Sequence, residues 1–326
     1  MEEGKKNALK RELLYQLNNL KGEDETMINE IRKKEVRNLL KDKEYRGFYN
    51  KLQQSIRQGN IIDGALNMPP VVEDRIKELL LIYSGLYDEV QVVPVGTDGR
   101  AIVSVGEAVA HWGQVVATLE ELNTSFDLIE MQDIKLGGYM PVSNSILEDT
   151  TVDTVAYLEE LLVKAIAHGI DNGVINGVGD YAAVWEPIGI LKNLAAANKV
   201  TVTFTAANIL AQIGLIDIGK KEDIGEVVAI MKRMTYYKDI IALSNSSLPY
   251  PNINGMRVKF SPAPAADTII LGDFKEYILT ERNKMRIEGS SDVLFLDDQT
   301  VFRVVDRYDG KPHITNAFVQ ITKQVA

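Results

Sequence analysis

The sequence predicts an α+β fold organised round one long helix, and three observations carry that prediction. Residues 136–179 read as a strand, a turn and then a helix of about 25 residues, which at 1.5 Å per residue is roughly 38 Å long. Strand-like runs lie on both sides of it, at 134–142 before and at 269–274, 285–287, 301–306 and 317–322 after. Of 326 residues, 45% are apolar and 25% charged, globular material able to bury a core in one large or two modest domains.

The long helix follows from its residues. Thr150 or Thr151 serves as N-cap, and Asp153 sets a carboxylate in the first turn, at the positive end of the helix dipole. Val155, Leu158, Leu162, Ala165, Ile166 and Ile170 recur at spacings of three and four and draw one apolar stripe. Gly169, Gly173, Gly177 and Gly179 thin the helix and stop it. In the strand before it, Pro141 has no N–H to give a neighbour, which places that strand at an edge or ends it there.

The other elements follow in chain order. Leu9, Leu13, Leu17 and Leu20, then Ile28, Ile31 and Leu39, then Tyr45, Phe48, Leu52 and Ile56 trace thin stripes on highly charged helices that cannot form a core of their own. Residues 59–64 read as a hinge. Pro69-Pro70 opens a short amphipathic helix with Ile76, Leu79, Leu80 and Tyr83 inward. Residues 90–95 alternate as a strand, and Gly96-Thr97-Asp98-Gly99 turns that run into 101–105 as a hairpin. Beyond the long helix, 200–204 alternates as a strand. Residues 223–237 read as a helix with Val227, Val228, Ile230, Met231 and Met234 inward, 240–243 as a buried strand, and 252–264 as strands joined by proline and glycine turns.

Composition and motifs exclude several kinds of chemistry. Cysteine is absent, which removes disulfides, zinc fingers and thiol catalysis. The N-terminus is charged, and no uncharged apolar run approaches the roughly 18 residues of a membrane helix, so neither a signal peptide nor a membrane span is expected. Residues 1–58 hold 14 Lys+Arg against 10 Asp+Glu, and the remainder 22 against 36, a basic head on an acidic body. That body argues against a sequence-reading nucleic-acid protein, which needs a clustered basic face. His111, His168 and His313 are not at metal-ligand spacing, and no G-x-S-x-G elbow is present. The glycines of GVINGVGD end a helix, the wrong polarity for holding a phosphate, and 306–310 lacks the further acidic ligands that a calcium loop requires. Glu120-Glu121 and Glu159-Glu160 read as solvated faces. The glycosylation patterns at Asn123 and Asn245 carry no weight without secretion. No catalytic residue, cofactor or metal is expected.

The run KLGGYMPVSNSILEDT, the long helix, INGVGD and WEPIGIL, followed by INGMRVKFSPAP, IILGDFKEYIL and VFRVVDRYDG with NAFVQITK, resembles the major capsid proteins of tailed phages of the Hong Kong 97 type over roughly 64–323. The resemblance implies an N-terminal helical arm or short scaffold-like segment at 1–66 and a helix leading into the body at 67–89. It implies an extended β-hairpin loop across the neighbouring subunit at 90–133. A peripheral domain at 134–179 and 268–326 has the long helix as its spine, with the strands from 268 onward returning as a sheet against that helix, and an axial domain lies at 180–267. Arg100, Glu107 and Trp112 on the extended loop are the candidates for subunit contact, Trp112 because large aromatics are enriched in interfaces. Relatives that weld their shells through an isopeptide bond use a lysine on this loop. None lies between Lys77 and Lys135 here, so no such crosslink is expected.

The function implied is that of a major capsid protein without enzyme activity. Its copies would self-assemble in the bacterial host cytoplasm as pentamers and hexamers, forming a procapsid that matures into an icosahedral virion shell round double-stranded DNA. DNA would be enclosed non-specifically, with portal and scaffold or protease proteins as further partners and no membrane. An encapsulin-like nanocompartment shell protein and an α+β enzyme with an unrecognised site are the alternatives.

Overall fold

A computed structural model describes residues 47, 70–96, 100–105, 125–130, 132, 134–145, 152–180, 183–218, 226–243, 251–282 and 285–324. The N-terminal stripes through Ile56, the hinge at 59–64, the N-cap at Thr150 or Thr151, His111 and both glycosylation-pattern asparagines lie outside the described residues. In chain order the elements are α1 (Pro70–Tyr83), β1 (Gln91–Pro94), β2 (Arg100–Val105), β3 (Ser125–Glu130), β4 (Lys135–Ser143), α2 (Val152–Asn176), β5 (Lys199–Val202), α3 (Ala206–Ala211) and β6 (Val228–Met231). Then follow β7 (Asn252–Ile253), β8 (Met256–Phe260), β9 (Thr268–Gly272), β10 (Tyr277–Glu281), β11 (Arg286–Leu294), β12 (Gln299–Pro312) and β13 (Phe318–Lys323).

Two sheets carry the body. In the first, the N-terminal part of the 14-residue β12 lies between β4 and β11, both antiparallel, and its C-terminal part pairs with β10, which takes β1 in parallel on its other side. The second sheet runs β5-β13-β9-β6-β8-β7. A separate ribbon pairs β2 with β3. Helices α1 and α2 pack on each other, and α2 packs on β4 and β12. Ile76, Leu79 and Leu80 of α1, Leu158, Leu162, Ile166 and Ile170 of α2, and the interior strands of both sheets join in one apolar core.

The long helix spans 25 residues, as its pattern predicts, and its buried face is wider than the stripe. Val163, Ala167, Val174 and Ile175 are buried as well, whereas Ala165 faces solvent. Its glycines do not all stop it. Gly169 and Gly173 lie inside the helix, where an added Cβ would stand 2.8 Å from Leu136 and 2.9 Å from Pro187, so their function is close approach. Gly177, immediately after the last turn, ends it. Pro141 sits on β4, which among the described residues pairs only with β12 and so tolerates the missing N–H.

Four expectations are corrected. Residues 90–95 do not turn back on 101–105: β1 lies in register with Ile278–Glu281, because β10 is buried through most of its length and needs a strand on each side. Residues 228–231 form a strand buried at every position between β8 and β9, an apolar run that periodicity cannot tell from a helix. The chain turns helical only at Arg233–Thr235, widening into a π turn at Tyr236–Ile240, and Met234 points outward. Residues 240–243 are helical turns with Ile240 buried and Ile241 exposed, not a strand. Finally, β9 and β13 do not return to the long helix. They form the middle of the second sheet, where β13 aligns parallel to β5 and antiparallel to β9.

Candidate interaction surface

Of the three residues singled out for contact, Arg100 opens β2 opposite Glu130 in the two-stranded ribbon. Glu107 and Trp112 lie outside the described residues, so no mutual arrangement of the three is seen.

The other tryptophan, Trp185 of WEPIGIL, lies among the described residues. Trp185 is 53% exposed, flanked by exposed Val184 and Val178. Its loop is closed at the base by a bridge between Val178 and Ile188 and by Gly179 N donating to the Pro187 carbonyl at 3.1 Å. Within the loop the Val184 and Trp185 N–H groups both donate to the Asp180 carbonyl, and Ala183 N donates to the Asp180 carboxylate. These bonds hold Trp185 at φ 51, the left-handed region that a bulky residue seldom occupies. The base is tied to the first sheet, since Ile188 N donates to the Gly310 carbonyl and the Tyr277 hydroxyl donates to the Ile188 carbonyl. A large aromatic on a rigid loop can bury its ring against a partner with little ordering cost.

Two further apolar groups face solvent. Met234, Tyr237 and Ile241 line the turn after β6, and Val293, Phe295 and Leu296 form the tip between β11 and β12, where Leu296 is 96% exposed. The second tip follows a register shift between Ser290 and Leu294, and Asp298 closes it in the left-handed region. Hydrophobic periodicity offers no signal for such residues, because nothing local distinguishes an outward leucine in a turn from an inward one.

The described part of the molecule is held together at the loop 84–90. The Asp171 carboxylate of α2 accepts from the Ser84 hydroxyl, from Gly85 N at 3.1 Å and from the Ser261 hydroxyl at 2.7 Å. Burial raises Asp171 above the usual carboxylate range, and those three donors work against the rise. Four residues on, Glu89 pairs with Arg257 at 2.9 Å and with Lys259 at 3.2 Å, and Asp88 pairs with Lys259 at 2.9 Å. Burial pulls the Lys259 ammonium down, but Asp88 and Glu89 outweigh it and hold it above its ordinary value. One short loop thus fastens α2 to the strand β8 of the second sheet. Among the described residues no group of His, Asp and Glu is placed to hold a metal.

The profile of the phage capsid family matches residues 64–323. No curated protein matches the chain. Among solved structures, the chain is similar to the capsid of an empty GTA particle computed with C5 symmetry, at 17% identity and TM-score 0.56 over 74% of this chain and 90% of that one. A chain from Microbacterium phage Oxtober96 matches at 16% identity and TM-score 0.55 over 74% and 91%. The satellite phage P4 procapsid including size determination (Sid) protein matches at 14% identity and TM-score 0.55, over 87% of this chain and 98% of that one. At these identities the structural likeness is one of fold.

Proposed function

From the premise that the chain belongs to the phage capsid family and is a major capsid protein of the Hong Kong 97-type fold, we propose how its copies build a shell. They join as pentamers and hexamers round double-stranded DNA, in the host cytoplasm, without any catalytic step. Residues 90–133 act as the extended loop across a neighbour, with β2 and β3 as its ribbon, and Arg100, Glu107 and Trp112 as contact residues. Residues 1–66 serve as the N-terminal arm. Residues 134–179 and 268–326 form the peripheral domain and 180–267 the axial one, with β9 and β13 reaching into the axial sheet. Portal and scaffold or protease proteins are the further partners. The observation that carries the reading is the family match over 64–323. Head-to-tail contacts close into rings when the rotation fits, and many modest contacts per subunit reinforce one another once several are engaged.

Electron microscopy of the purified full-length chain tests this. Closed shells with five-fold vertices are expected. Small uniform shells filled with a cargo protein would favour a nanocompartment, and single compact molecules under all conditions tried would overturn shell assembly.

A further inference from the structure

A second cluster of titratable groups lies under the same loop. In the register of β10 and β12, Glu281 stands opposite Tyr308. Asp306 is two residues back along β12 and therefore on the same face of the sheet. Tyr87 of the loop 84–90 closes over that face, its hydroxyl donating to Glu281 Oε2 at 3.4 Å. Asp306, Tyr308 and Tyr87 are all buried. Asp306 Oδ1 accepts from Arg307 N at 2.7 Å, while Oδ2 is buried without a well-formed hydrogen bond, the Tyr308 hydroxyl standing close enough to interact with the carboxylate. Among the described residues, Lys77 comes to Asp306 from α1, Tyr87 from the loop, Glu281 from β10 and Tyr308 from β12, while β4 sets the apolar Leu136 opposite it. Asp309 faces the other way and accepts from Gln132 N and Gly310 N, and His168 and Asp171 of α2 interact with each other.

Two carboxylates on one buried face, one with an oxygen that lacks a well-formed hydrogen bond, cannot both ionise there without cost. Burial pushes Asp306 up to about 7 against the hydrogen bonds of the Tyr308 hydroxyl and Arg307 N, and the Glu281 carboxylate adds to the rise. Burial raises Glu281 too, against the pull of Lys77 and Tyr87.

We propose that Asp306 and Glu281, with Tyr87 and Tyr308 beside them, form a proton-operated latch that holds the loop 84–90 on the β10–β12 strand pair, closed in mild acid and loosened as the solution reaches neutrality. The sign follows from linkage. With the loop closed Asp306 keeps its proton up to about 7, and with the loop open it loses it near its ordinary value of 3.8. Between those values each rise in pH favours the open form, and above about 7 the dependence levels off. The loop also carries Ser84 and Gly85, which hold Asp171, and Asp88 and Glu89, which hold Lys259 and Arg257, so its release weakens the fastening of α2 to the second sheet.

Hydrogen exchange by mass spectrometry on the full-length chain, from pH 5 to 8 and corrected for the intrinsic rate, reads the latch. The measurement needs no shell, so its outcome is separate from that of assembly. Protection of 84–90 should fall by up to about tenfold per pH unit as pH rises to about 7 and then level off. Asp306→Asn should make the fall much shallower across that range, because the amide never ionises and only Glu281 is left to titrate on that face. Glu281→Gln, a milder change, should bring the levelling-off to lower pH by removing the neighbouring charge. Flat protection in the wild type, an unchanged fall in Asp306→Asn, or an unmoved end-point in Glu281→Gln would each overturn the latch.

Discussion

Asp171 shows how much a single buried carboxylate can organise when the donors round it come from two distant stretches of chain. Its partners lie 86, 87 and 90 residues away in sequence. Replacing it by alanine strands two hydroxyls and an N–H, and at about 1–3 kcal/mol for each unsatisfied buried group Asp171→Ala should cost at least about 3 kcal/mol in denaturant unfolding. Asp171→Asn keeps an acceptor and avoids a buried charge, so it should lose less than half as much. Trp185 belongs to the same scale. If its ring is buried between copies, Trp185→Ala should leave the subunit's melting temperature within about 2 °C of wild type, a change of under about 0.5 kcal/mol, while shell yield measured by sedimentation drops several-fold. Equal loss of folding and assembly would place the ring in the subunit's own fabric. Trp112 and Trp185 look alike as letters. Only the fold shows that Trp185 is held outward, because two of the hydrogen bonds that hold it there run between main-chain groups that carry no sequence signature.

At the scale of elements, the clearest case is β4, where Gly137 and Gly138 sit side by side and differ completely. A Cβ at Gly137 would collide with the Val304 carbonyl across the ladder, while one at Gly138 meets open space. Gly137→Ala should therefore destabilise by about 1–3 kcal/mol and Gly138→Ala by less than about 0.5 kcal/mol, a contrast that paired thermal melts resolve. The long helix and the strand before it were legible because each has a strong local signature: a 3.6-residue stripe, an acidic first turn, a proline at an edge. The strand β6 was not, since four buried residues in a row fit either geometry and the choice was made by β8 and β9 on either side. Strand β1 was legible as a strand but not in its pairing, for the turn residues after it describe a local possibility and β10 supplied a better, distant partner.

For the whole molecule, the absence of lysine between Lys77 and Lys135 bears on how a shell would be held together. Assembled particles boiled in detergent should run on a denaturing gel as single subunits with no covalent ladder. A ladder resistant to denaturant would show that some other lysine welds neighbouring copies. Sequence by itself determined the α+β class, the length of the central helix, the lack of thiol chemistry and the family, since these depend on periodicity, composition and the order of motifs along the chain. Tertiary structure alone decided which strands meet, how β9 and β13 came to centre the second sheet, that Trp185 is held outward, and that Asp306 and Glu281 share a buried face. Each of those rests on groups brought together across tens or hundreds of residues, and the free energy of a buried contact depends on what stands opposite it, which no local pattern specifies.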